Sequence, residues 1–174
     1  TNNSPFNCAH IEDNPNEQDY PSTFSFREKL NNRSLRFEEL IDKFDKVSYQ
    51  DFIDIKYDQQ YPKPIFCPFE INDIFSYNPS DYPDLKELID IIQKWDRKAD
   101  VKSKGAAQWF VYYKTLNKSI RKNNHLLDAP VPKELIINAL KKTKEYFVNN
   151  FGSLEVALED FQKHVRGDVE LAVP

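Results

Sequence analysis

The residues through which this chain could do chemistry are a threonine at position 1, two cysteines, three histidines and several neighbouring carboxylates. A free N-terminal threonine can act as a nucleophile when its own α-amine serves as base. Thr1, however, stands in front of Asn2-Asn3-Ser4-Pro5, which reads as an internal asparagine turn with no cleavage context, so it is expected to be a chain boundary and not a catalytic terminus. His10, His125 and His164 are widely separated, and no motif of metal-ligand spacing joins them. His10 lies two residues from Cys8, but proximity in sequence does not create the geometry of a thiol-imidazole pair. Asp81 with Asp84, and Glu38 with Glu39, have ordinary capping and solvation roles open to them. Arg166-Gly167-Asp168 matches a cell-adhesion tripeptide, but it falls where a helix must turn into a strand, and a glycine reversing the backbone is the simpler account.

Cys8 and Cys67 both sit in proline-containing segments. In an oxidising compartment they could pair if the fold brings them within bonding distance; otherwise they are two free thiols. Neither belongs to a CxxC or Cys/His arrangement, so no metal and no cofactor is expected.

These residues must be positioned by the elements around them. From Thr1 to Asn32 the chain is rich in Asn, Pro, Asp and Ser with no sustained apolar period, which predicts a long loop. From Arg33 the residues Leu35, Phe37, Leu40, Ile41 and Phe44 recur at helical spacing. Ser48 with Asp51 resembles a capping box and predicts a second, short helix carrying Phe52, Ile53 and Tyr57. The stretch from Tyr61 to Tyr82 is broken by prolines yet holds Ile65, Phe66, Phe69, Ile71, Ile74 and Phe75, so it must pack against something apolar.

Pro83 suits the first turn of a helix reaching Trp95, with Leu85, Leu88, Ile89 and Ile92 inward. Ser103 is the expected cap of the next helix, with Ala106, Ala107 and Phe110 in close packing, and Pro132 and Gly152 bracket another. Ser153 is expected to cap a last helix holding Leu154, Ala157, Leu158 and Phe161, after which Val169, Leu171 and Val173 alternate as a strand. The expected organisation is therefore an extended loop at 1–32, a helical array at 33–163 and the start of a strand at 164–174.

Composition agrees with a mainly α fold. Three glycines against eleven prolines describe helices joined by proline-punctuated loops, not a β domain full of glycine turns. The net charge of -4, with acidic and basic residues interleaved along the helices, argues against a nucleic-acid partner, which needs clustered Lys and Arg. No apolar run approaches the ~20 residues of a membrane span. On composition and spacing alone, a helical interaction module using the aromatic residues from Tyr61 to Tyr82 as an exposed docking surface is a competing expectation to an enzyme.

Short motifs in a consistent order add a resemblance. Asn2-Asn3-Ser4-Pro5-Phe6, Asp19-Tyr20-Pro21, Arg33 followed by Leu40, Trp95-Asp96, Ala99-Asp100, Gly105-Ala106-Ala107, Phe151-Gly152 and Arg166-Gly167-Asp168-Val169 run over nearly the whole chain. Together they resemble the segment downstream of the nucleophile in penicillin acylases. That family consists of N-terminal nucleophile hydrolases of α+β fold, made as precursors that cut themselves to expose a Ser or another nucleophile.

The resemblance implies that this chain is an internal segment of an amide-bond hydrolase. Its nucleophile would lie elsewhere in the precursor, on the segment that is the chain's expected partner, and the substrate would be a small N-acyl amide. Asn2 matches the family's oxyanion donor, whose neutral side-chain amide steadies negative charge on the acyl carbonyl oxygen. Arg33 matches an arginine that organises the active site. Where calcium-binding members carry an aspartate four residues after the tyrosine of the Tyr-Pro element, this chain has Phe24, whose ring cannot ligate a hard cation. This departure, with the long insertion between Pro5 and Tyr20, is similar to the acyl-homoserine-lactone and lipopeptide acylase branch. Periplasmic or secreted location follows from the resemblance alone.

Overall fold

The computed structural model of the chain describes residues 13–24, 31–123 and 130–174. It divides into two compact units, Thr1–Phe66 and Cys67–Pro174. The fold is mainly α, consistent with a piece of an N-terminal nucleophile hydrolase, and the strands described belong to one two-stranded sheet.

In the first unit, 3-10 turns at Glu17–Asp19 and Ser22–Phe24 precede helices α1, Asn32–Ile41, and α2, Tyr49–Lys56. Asn31 starts α1 by accepting the backbone N–H of Ser34 at 2.9 Å. The capping box expected for α2 is present: Ser48 Oγ accepts from Asp51 N at 3.2 Å, and Asp51 Oδ2 accepts from Ser48 N at 2.9 Å. Those hydrogen bonds to the ionised carboxylate hold the Asp51 pKa below its ordinary value. Neither helix buries a residue fully, and Phe37, Phe52 and Tyr57 are exposed.

The second unit opens with 3-10 turns at Asn72–Ser76, Pro79–Asp81 and Pro83–Leu85. Helices α3, Lys86–Lys94, α4, Ala106–Lys122, and α5, Lys133–Phe151, follow, then a short α6, Leu158–Phe161. The pattern of Leu88, Ile89 and Ile92 faces the core as its period requires. Helices α4 and α5 pack against each other, and they bury Tyr112, Leu116 and Ile120 on the first and Ile136, Leu140 and Phe147 on the second. Burial pushes the Tyr112 phenol far above its ordinary pKa, with Tyr77 adding to the shift, so at neutral pH it is a neutral core residue and not a proton-transfer group. Gly152 ends α5 in the left-handed region, at φ 68°, as expected.

Two caps differ from expectation, both for tertiary reasons. Ser103 does not cap α4; its carbonyl accepts the Leu158 N–H at 3.1 Å, and the helix begins two residues later, behind Gly105. Gln108 supplies what a capping serine would not. Its Oε1 accepts the Gly105 N–H at 2.9 Å, while its Nε2 donates to the carbonyls of Leu154 and Val156 at 2.7 and 3.1 Å. The amide is fully buried and satisfied by backbone on two strands of chain. Ser153 likewise does not start a helix: its Oγ accepts the Glu155 N–H at 3.1 Å, Ala157 bridges Lys104 in antiparallel fashion, and only Leu158–Phe161 is helical.

The stretch after Cys67 packs inward, with Phe69, Ile71 and Ile74 buried. Phe69, Tyr113, Trp109 and Trp95 form a continuous aromatic series with ring centroids 6.0, 5.5 and 5.4 Å apart. The expected strand is the second arm of an antiparallel hairpin, β1, Lys163–Arg166, with β2, Val169–Ala172. Gly167, at φ 59°, occupies its turn, so Arg166-Gly167-Asp168 serves the reversal.

Candidate functional site

The start of α1 carries the one sequence-derived candidate among the described residues. Arg33 is the second residue of α1, and it is exposed. Asn2, the expected oxyanion donor, lies outside the described residues, as do Thr1, Cys8, His10 and His125.

Around Arg33 the helix is tied down by neighbours that periodicity alone did not single out. Asn32 forms a two-point pairing with the backbone of Phe66: its Nδ2 donates to the Phe66 carbonyl at 3.0 Å, and its Oδ1 accepts the Phe66 N–H at 2.7 Å. One turn later, Arg36 spans two carboxylates. Its Nε donates to Asp58 Oδ2 at 3.0 Å and its Nη1 to Glu39 Oε2 at 2.9 Å, with Gln60 Oε1 at 3.5 Å from Nη2. The Arg36 side chain is 20% exposed and that of Asp58 13%. Burial alone would lower the Arg36 pKa, but the hydrogen bonds to Asp58 and Glu39 outweigh it and leave the pKa raised, so the group is a permanent cation. Asp58 also accepts the Gln60 N–H at 3.1 Å, which fixes the carboxylate for the guanidinium. The i, i+4 spacing of Asn32 and Arg36 was the signal available in sequence; their partners, 22 to 34 residues away, were not.

Among its described residues the second unit offers no competing catalytic set. Three of its hydroxyls bond locally: Ser76 to the Asp73 carbonyl, Ser119 to the Thr115 carbonyl and Thr143 to the Ala139 carbonyl. Among the described residues no serine or threonine is bonded to a histidine, one of the arrangements that activate a hydroxyl. Burial pushes the Cys67 thiol above its ordinary pKa, the wrong direction for a nucleophile. An open groove of about 410 Å³ beside α3 is lined by Lys86, Glu87, Asp90, Lys94 and Glu155, a mixed set of charges without a nucleophile or an oxyanion donor pair. No group of three or more His, Cys, Asp or Glu suited to a metal occurs among the described residues, and no described helix is long and apolar enough to cross a membrane.

Comparison with family models matches residues 1–168 to penicillin amidase. No curated protein and no solved structure gives a match.

Proposed function

Because the chain belongs to the penicillin amidase family, we propose that it is an internal segment of an enzyme that hydrolyses N-acyl amides through an acyl-enzyme. The family match, which spans nearly the whole chain, carries this reading. The nucleophile lies on another segment of the same enzyme. It attacks the acyl carbonyl, the amine leaves with a proton, and water then releases the acid.

This chain contributes one edge of the site. The Asn2 side-chain amide donates to the carbonyl oxygen as it becomes an oxyanion, a contribution of about 3 kcal/mol in comparable sites. Arg33 organises that edge, its fixed fork of N–H donors being suited to holding an amide oxygen or a carboxylate in one orientation. Substrates similar to acyl-homoserine lactones or lipopeptides fit the departure at Phe24, and a periplasmic or secreted enzyme fits the family. The local hydrogen bonding of the described hydroxyls supports placing the nucleophile elsewhere. Against the competing docking surface, Phe69 is turned into the core together with Ile71 and Ile74, while Phe66 stays exposed.

The test is turnover of chromogenic acyl amides by the matured enzyme and, separately, by the 174-residue chain alone. Hydrolysis by the matured enzyme with none by the isolated chain is expected. Turnover by the chain alone, or none by the matured enzyme on any acyl amide, would sink the division of labour.

A further inference from the structure

Residues 58–66 return alongside the start of α1 and are bonded to it at two levels. Asn32 holds both backbone groups of Phe66, and Arg36 holds Asp58 and reaches Gln60. Residues four apart stack on one face of an α-helix, so the two attachments act along a single line on α1. A helix held at one point on its surface can still turn about that point. Held at two points one turn apart on the same face, it has its rotation and its axial position both set. Arg33 follows Asn32 by one residue, about 100° further round the same helix, so the side of the helix from which its side chain leaves the backbone is determined by the line of attachment.

We infer that Asn32 and Arg36, with Asp58, form a positioning clamp that sets the orientation of Arg33 for catalysis. This inference rests on the role proposed for Arg33. Neither Asn32 nor Arg36 is asked to touch substrate: both have their polar atoms committed to the 58–66 segment or to Glu39. The clamp is suited to positioning because its bonds are directional. The Asn32 amide meets the Phe66 peptide donor to acceptor on both sides, and the Arg36 fork meets Asp58 through two of its nitrogens, Nε at 3.0 Å and Nη2 at 3.4 Å. A lysine at position 36 would keep the charge and lose the second nitrogen. Displacements of the order of 1 Å at a group that must meet reacting atoms reduce rates by about 10²-fold, so a small rotation of α1 has a large kinetic consequence and a small effect on substrate affinity.

The experiment is a double-mutant cycle in the intact, matured enzyme, with kcat and KM on a chromogenic acyl amide expressed per matured active site. Arg36→Gln is expected to lower kcat about tenfold or more while KM changes about twofold or less. In the Arg33→Ala background the same substitution is expected to change kcat by about twofold or less, because the group it positions is gone. Arg36→Lys should recover only part of the loss. If Arg36→Gln does not yield folded enzyme, Asp58→Asn, which is isosteric and removes the carboxylate charge, makes the same comparison. An equal loss in both backgrounds, or an unchanged kcat in the Arg33 enzyme, overturns the clamp. Full activity of Arg33→Ala by itself overturns the role of Arg33, and the clamp with it, so the two failures are told apart by the single variant.

Discussion

Gly105→Val is expected to destabilise the second unit by about 3 kcal/mol or more, from two independent costs. Gly105 has φ 98°, a conformation that costs an L side chain about 1–2 kcal/mol before any contact is considered. A Cβ there would also stand 2.6 Å from the Cβ of Trp95 and 2.9 Å from the Ile91 carbonyl oxygen. Neither neighbour is free to give way. Ile91 O belongs to the backbone of α3, and Trp95 is buried, packed on Trp109 and held through its Nε1–H to the Lys98 carbonyl at 2.8 Å. Overpacking a site of this kind typically costs about 1–3 kcal/mol. Gly152 provides the comparison: it too has positive φ, at 68°, but no atom lies within 4 Å of its Cβ position, so Gly152→Ala should cost only about 1 kcal/mol. Chemical denaturation of the three proteins checks this, and equal stabilities for the two glycine variants would contradict the close approach of α3 to the start of α4.

Asn2→Ala is expected to lower kcat of the matured enzyme by about 10²–10³-fold with KM little changed, the signature of a donor used mainly in the transition state. The ground-state carbonyl oxygen carries only partial charge, whereas the tetrahedral oxyanion carries a full one. A side-chain amide aimed at that position therefore contributes most when the barrier is being crossed. Asn2→Asp should be at least as damaging, because an acceptor carrying negative charge replaces the donor. Steady-state kinetics on a chromogenic acyl amide measure both. A loss confined to KM would make Asn2 a substrate-binding residue, and no loss would return it to the ordinary asparagine of a Ser-Pro turn.

Local signals in this sequence were legible where local physics decides the structure. The Ser48–Asp51 capping box, the proline-led turn before α3 and the left-handed Gly152 each follow from a few adjacent residues. The cap of α4 was not legible, because Ser103 is locally the better cap. What displaces it is the Gln108 amide, whose other partners, Leu154 and Val156, lie more than forty residues away. The residues after Ser153 were misread for a related reason: Leu154, Ala157, Leu158 and Phe161 have a helical period, but Ala157 and the residues beside it find their hydrogen bonds across the chain at Val101, Ser103 and Lys104. The strand Val169–Ala172 showed its alternation, whereas its partner Lys163–Arg166 has a single aliphatic residue, Val165, and gives no period to read.

The candidate site shows the same limit. Arg33 and Asn2 came from motifs in family order, not from spacing, since an arginine at a helix start and an asparagine before Ser-Pro are common in any protein. The residues that hold α1 in place depend on a chain reversal between Arg36 and Asp58, and an Arg-Asp pair separated by 22 residues leaves no periodic trace.

The most direct measurement is the location of the acyl group in the covalent intermediate. The matured enzyme is quenched during turnover of a slowly deacylating activated acyl ester, digested, and the acyl mass located by peptide mapping. The account predicts one acyl group, bound to a residue outside the 174 residues of this chain and absent when Asn2→Ala enzyme is quenched at the same early time. An acyl group attached within this chain, at Thr1 or anywhere else, or turnover with no covalent intermediate, would contradict it.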